Sequence, residues 1–139
     1  MLAIKVSVSR QCLDLFEADK LIRTYSVSTA LNGVGELKSS GCTPRGSHYI
    51  RAKIGTGLPS NAVLVGRRFT GEIYSYELAE QYPERDWILT RILWLSGLEI
   101  GKNRLAGVDT MQRYIYIHGT PDSEPMGIAR SHGCIRMRN

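Results

Sequence analysis

The chain has no apolar run approaching the ~20 residues that a membrane-spanning helix requires. It is also poor in cysteine. Cys12, Cys42 and Cys134 are an odd number, and no spacing among them suggests a disulfide framework. Cys12 falls in a strand-like run, where it reads as a small buried hydrophobe, and Cys42 falls in a glycine-rich loop with no partner at a telling spacing. Internal repeats, low-complexity segments and inter-domain linkers are absent. The first residues, Met1-Leu2-Ala3-Ile4-Lys5-Val6-Ser7-Val8, already alternate as a strand and lack the apolar core and small-residue cleavage site of an export signal. A cytoplasmic location is therefore expected, with the periplasm or cell envelope as the alternative if an export signal has been removed.

What remains describes one ordinary globular domain over residues 1–139. Hydrophobic residues make up 42% and charged residues 22%, enough for a single core and too little charge for disorder. The net charge of +5 suits acidic ligands and would suit nucleic acid, although a solubilising surface accounts for most of it. Basic residues thicken near the C-terminus, at Arg130, Arg136 and Arg138. Nothing in the sequence specifies an oligomeric state.

Periodicity predicts a mainly β fold. Leu2, Ile4, Val6 and Val8 share one face of a first strand; Cys12 to Phe16 returns, and Leu21 to Val27 completes a meander. Residues 28–46 hold four glycines and Pro44 and read as a long functional loop. His48 to Ile54 and Ala62 to Gly66 read as further strands. Residues 67–110 are harder to read. Ile73 to Leu78 fits a strand or the start of a helix stopped by Pro83, Trp87 to Leu95 a central strand, and Gly97 to Asp109 a loop able to act as a lid.

The chemistry gathers at the end of the chain. The apolar run Tyr114 to Ile117 delivers His118-Gly119 to a loop rich in Pro, Gly, Asp and Ser, which returns to Ser131-His132-Gly133-Cys134 and the alternating Ile135-Arg136-Met137. A histidine ending one strand and a cysteine opening the next can meet across that loop. This is the geometry nucleophilic catalysis needs: a thiol, Cys134, within reach of a base, His118, that takes its proton near neutral pH. Gly133 would let the backbone turn sharply, so that its N–H and that of Cys134 form an oxyanion hole. His132 shares the nucleophile's face and competes for the base role. Arg136, two residues beyond Cys134, would grip a substrate carboxylate or organise the loop, and Tyr116 points with His118 towards the pocket. A metal site built from His118, His132 and Cys134, with His48 or Cys42 as a further ligand, lacks the spacing of zinc motifs.

The pattern His118-Gly119 followed by Ser131-His132-Gly133-Cys134-Ile135-Arg136-Met137 resembles the signature of the L,D-transpeptidase catalytic domain, or YkuD, family. Thr43-Pro44-Arg45-Gly46 resembles that family's T-P-x-G turn. The resemblance implies a small β-sandwich or mixed sheet with one or two short helices, cysteine acyl transfer through a thioester, and no cofactor. It implies murein stem peptides or muropeptides as partners, and not nucleic acid. It implies the Gly119 carbonyl as the group orienting His118, and His132 as a residue that shapes the pocket and contacts substrate; Ser131, Arg136 and Tyr116 are expected beside it as substrate contacts. Release of the terminal D-alanine to water would be L,D-carboxypeptidase activity; transfer to another stem peptide would be cross-linking. A non-catalytic module binding murein or another anionic ligand is the alternative. Family members continue past the R-M-x-N segment, so a chain ending at Asn139 is expected to be truncated.

Overall fold

Alternating apolar residues at the N-terminus build the antiparallel meander expected of them, β1 (Leu2–Ser7), β2 (Cys12–Glu17) and β3 (Lys20–Ser26), in the order β1-β2-β3. Glu17 pairs with Lys20 across a two-residue turn, and Ala18 and Asp19 both take positive φ, the hairpin geometry that matches strand twist. The computed structural model describes residues 1–139.

The remaining strands form a second sheet: β4 (His48–Ile54), β5 (Ala62–Val65), β6 (Arg68–Ile73), β7 (Ile88–Gly97), β8 (Tyr116–Gly119) and β9 (Ile135–Met137). Its order is β6-β5-β7-β8-β9, with β4 also pairing β7. All contacts are antiparallel except β8 with β9, which run parallel with His118 opposite Arg136. The two sheets pack face to face. Leu13 and Val27 meet Leu95, Ile115, Ile117 and Ile135, with Ile4, Val6 and Tyr25 beside them. The architecture is thus the expected mainly β sandwich, with one α-helix and one 3₁₀ turn (Ala106–Val108).

Several local expectations need correction. Leu2 is exposed, so only Ile4 and Val6 of the proposed face reach the core, and β1 stops at Ser7, before Val8. The ambiguous 73–78 segment divides: β6 ends at Ile73, and the helix α1 (Tyr76–Gln81) starts from Ser75, whose hydroxyl caps the Leu78 N–H. The central strand β7 is ten residues long and reaches Gly97. The 98–109 loop does not cover the site. Asn103, fully buried, donates to the Arg45 and Ser47 carbonyls and accepts from the Glu99 N–H, which pins that loop to the chain entering β4.

Candidate active site

His118 sits on β8, an inner strand between β7 and β9, and is 3% exposed. Its Nδ1 lies 2.7 Å from the carbonyl oxygen of Gly119. A carbonyl can only accept, so Nδ1 carries the proton and Nε2 keeps the free lone pair. Burial holds the imidazole pKa below its ordinary value, against the Gly119 bond and the Asp86 charge, which push it up. The ring is therefore neutral at pH 7, with Nε2 able to take a proton.

Cys134 immediately precedes β9 and lines the same cavity of about 250 Å³ as His118. Its Sγ accepts the Tyr116 N–H at 3.3 Å and donates to the Tyr114 carbonyl at 3.5 Å. The resting thiol is thus directed at backbone, with no hydrogen bond to His118. Burial pushes its pKa up to about 11; the Asp86 charge adds to this, while the Tyr116 N–H, Arg136 and Arg113 oppose it.

The backbone before Cys134 is clamped from both sides. Gly133 has φ +131°, and a Cβ there would lie 3.3 Å from both the Cys42 carbonyl oxygen and Ile115 Cδ1, so only glycine fits without strain. Thr43 Oγ1 donates to the Gly133 carbonyl at 2.9 Å and accepts the Ala30 N–H at 2.9 Å, tying the T-P-x-G turn to the C-terminal motif. Ser131, 2% exposed, donates through Oγ to the Cys134 carbonyl and accepts the Gly133 N–H at 3.2 Å. Ser131 is therefore a buried staple, and the Gly133 N–H expected to face substrate is turned towards it. The Cys134 N–H has no partner within the chain.

A charged rim surrounds this centre. Asp86, just before β7, accepts from Arg136 Nη2 at 3.0 Å and lies 3.2 Å from His132 Nδ1. Arg136 also reaches Glu124 at 3.4 Å, and its side chain is only 7% exposed. Of the two roles open to Arg136, the geometry matches the loop organiser, because its guanidinium is already occupied by two carboxylates. His132 is exposed and points to Asp86. Tyr116 is buried, lines the cavity, and accepts a hydrogen bond from Arg67 Nη1 at 3.0 Å on its hydroxyl.

Sequence reasoning missed Asp86, Arg113 and Arg67. Arg113 lines the cavity and donates to the carbonyls of Gly35 and Cys42 and to the Ser40 hydroxyl, so it ties the long loop to the start of β8. No pattern near these residues flags them, since each acts on partners far away in the chain. His48 is occupied elsewhere, between the Gly46 carbonyl and the Thr110 hydroxyl, and no three His, Cys, Asp or Glu side chains converge as metal ligands.

A two-sheet β sandwich with histidine and cysteine on one cavity, fed by adjacent parallel strands, defines a class that the comparisons make specific. Residues 2–139 match the L,D-transpeptidase catalytic domain (YkuD) family, and the chain belongs to that family. No curated protein matches it. Its fold is similar to that of an L,D-transpeptidase from Mycobacterium smegmatis (15% identity, TM-score 0.51), covering 99% of this chain and 49% of that one. It is also similar to L,D-transpeptidase 3 from Mycobacterium tuberculosis in complex with a faropenem-derived adduct (14% identity, TM-score 0.54), covering 99% and 51%. The L,D-transpeptidase from Xylanimonas cellulosilytica gives 18% identity and a TM-score of 0.50, covering 99% and 50%. The chain spans about half the length of these solved structures.

Proposed function

We propose that the protein performs cysteine-dependent acyl transfer on murein stem peptides, releasing the terminal D-alanine of a tetrapeptide. The observation that carries this reading is the His118 tautomer: Nδ1–H is held on Gly119, so a free Nε2 lone pair sits in the cavity that Cys134 also lines. Reaction requires Sγ to leave the Tyr114 carbonyl and meet that lone pair. His118 Nε2 then accepts the thiol proton as sulfur attacks the peptide carbonyl, forming a C–S bond. The Cys134 N–H is the backbone donor available to the oxyanion. Collapse breaks the C–N bond, His118 returns the proton to the departing D-alanine amine, and the acyl group remains as a thioester. Water then yields the tripeptide acid, an L,D-carboxypeptidase outcome; an amine yields a new amide, a transpeptidase outcome.

A second reading, a non-catalytic murein-binding module, draws on the protonated thiol parked against Tyr114. One experiment separates the two. The protein and its Cys134→Ala variant are incubated with a soluble murein tetrapeptide, with and without a D-amino acid, and products are followed by mass. Loss of D-alanine in the wild type alone is expected, with an exchange product if amines reach the thioester. Incubation with a penem, the class whose adduct one structural relative carries, is expected to add mass at Cys134. Silence in both assays, with the peptide still bound, would replace the enzymatic reading with the binding module.

A further inference from the structure

Beside the thiol cavity lies a cationic ledge that the reaction scheme does not use. Arg67, in the tight turn between β5 and β6, places its guanidinium carbon 4.5 Å from the centre of the Trp94 ring and 5.1 Å from that of Tyr114. Arg51, on β4, lies 4.9 Å from the centre of the same Trp94 ring. Neither has a carboxylate partner within the chain, whereas Arg136 has two and Arg45 and Arg85 have one each. Each guanidinium offers a planar fork of N–H donors. Within the chain Arg67 uses one on the Tyr116 hydroxyl at 3.0 Å, and Arg51 uses one on Ser96 Oγ at 3.4 Å.

The ledge is joined to the nucleophile by short links. Tyr114 and Tyr116 both line the cavity of Cys134; the Tyr114 carbonyl accepts the thiol, and the Tyr116 N–H donates to it. Trp94 is fixed by its indole N–H on the Met111 carbonyl at 3.2 Å and by edge contact with Tyr116. The guanidiniums are therefore held on a rigid aromatic floor, which reduces the side-chain freedom lost when a ligand binds. Arg67 takes a positive φ of 65° in its turn, a conformation that fixes where its side chain leaves the backbone.

We infer that Arg67 and Arg51, supported by Trp94 and Tyr114, form a carboxylate-binding subsite that grips a carboxylate of the peptide whose carbonyl Cys134 attacks. This rests on the proposed acyl transfer for the identity of the ligand. The planar fork of a guanidinium matches a carboxylate in shape and charge. Arg136, for which the sequence left carboxylate binding and loop organisation equally open, is already bound to Asp86 and Glu124, so the role passes to arginines with donors to spare.

The test uses tetrapeptides carrying every carboxylate, and analogues in which one carboxylate at a time is a carboxamide. Binding is measured on Cys134→Ala protein, so that it reads out whether or not the wild type turns over. Turnover is measured on the intact enzyme. Arg67→Gln is expected to weaken binding of the full acid about tenfold, the scale of one lost charge-assisted hydrogen bond. It should raise KM by a similar factor at nearly constant kcat. One carboxamide analogue should bind the wild-type ledge and the Arg67→Gln ledge equally. Arg51→Gln should act in the same direction, and Arg23→Gln, an arginine stacked on Tyr25 in the other sheet, should change nothing. If Arg67→Gln weakens acid and every carboxamide alike, or weakens none, the subsite is overturned while the acyl-transfer reading stands. If no peptide turns over but Arg67→Gln still discriminates acid from carboxamide, the subsite survives and the enzymatic reading falls. Inorganic phosphate and acetate are run as competitors; displacement by phosphate far better than by acetate would reassign the ledge to a phosphorylated ligand and overturn the carboxylate assignment.

Discussion

His118 and His132 line the same cavity yet meet opposite surroundings. The first is 3% exposed and bonded to a backbone carbonyl one residue away; the second has a side chain 75% exposed and faces the carboxylate of Asp86. The same division runs through the whole site. Its deep half, His118, Cys134, Gly133 and Ser131, is held by backbone groups together with the hydroxyls of Ser131 and Thr43. Its rim, Asp86, His132, Arg136 and Glu124, is held by charges brought together from separate segments. The backbone partners of His118 and Cys134 cannot be mutated away, so the placing of those two side chains depends on the fold itself. The rim depends on particular side chains and on ionic strength, so it is the part free to be tuned.

The sharpest way to break this comparison is to remove each histidine in turn. His118→Gln is expected to lower turnover by about 10²–10⁴-fold, the usual contribution of a positioned general base. His132→Gln should cost less than about tenfold, because the ring touches Asp86 and not the thiol. Turnover of the tetrapeptide by each variant measures both, and a reversed order would move the base role to His132. The rim is tested next by stability. Arg136→Met leaves Asp86 and Glu124 facing each other without a cation, and about 2 kcal/mol of destabilisation is expected in urea unfolding. This lies below the range for a fully buried pair, since those carboxylates are 42% and 38% exposed. Asp86→Asn keeps the shape and should cost about 0.5–1 kcal/mol, as a partly exposed pair does. Equal losses from the two variants would mean that the Asp86 pair alone accounts for what Arg136 contributes.

The same division explains what could be read in the sequence. The three-strand meander and the strands around 48–54 and 62–66 carry local signals, namely alternation and turn residues, and they form with their ends moved by a residue or so. Strand β6 was missed because its residues are mostly exposed on both faces and Gly71 interrupts them, so no alternation marks it. The Ser75 cap was hidden because it begins a helix of six residues, too short to show a period. Asp86 and Arg67 were invisible for a different reason. Their partners are Arg136, His132 and Tyr116, more than forty residues away, and the register of β7 against β5 and β8, and of β8 against β9, brings them together.

The smallest effect is a pH dependence of stability, and it separates the two histidine environments most directly. Burial lowers the pKa of His118, and also that of His48, whose ring is caught between Gly46 and Thr110. In the unfolded chain both revert to about 6.5. Between their folded values and 6.5 the unfolded state binds more protons, so stability rises with pH there and is lost as the pH falls below about 6.5. The slope cannot exceed about 1.4 kcal/mol per pH unit for each histidine. The carboxylates of Asp14, Glu36 and Glu72, lowered by their hydrogen-bond partners, contribute only as the pH falls below their ordinary values of 3.8 and 4.5, outside this window. Unfolding free energies between pH 7.5 and 5.5 should therefore decline in the wild type. The decline should weaken in His48→Gln and weaken further when His118→Gln is added. An undiminished slope in the double variant would mean that the acid sensitivity comes from the rim, and the contrast between a desolvated base and a solvated neighbour would lose its physical ground.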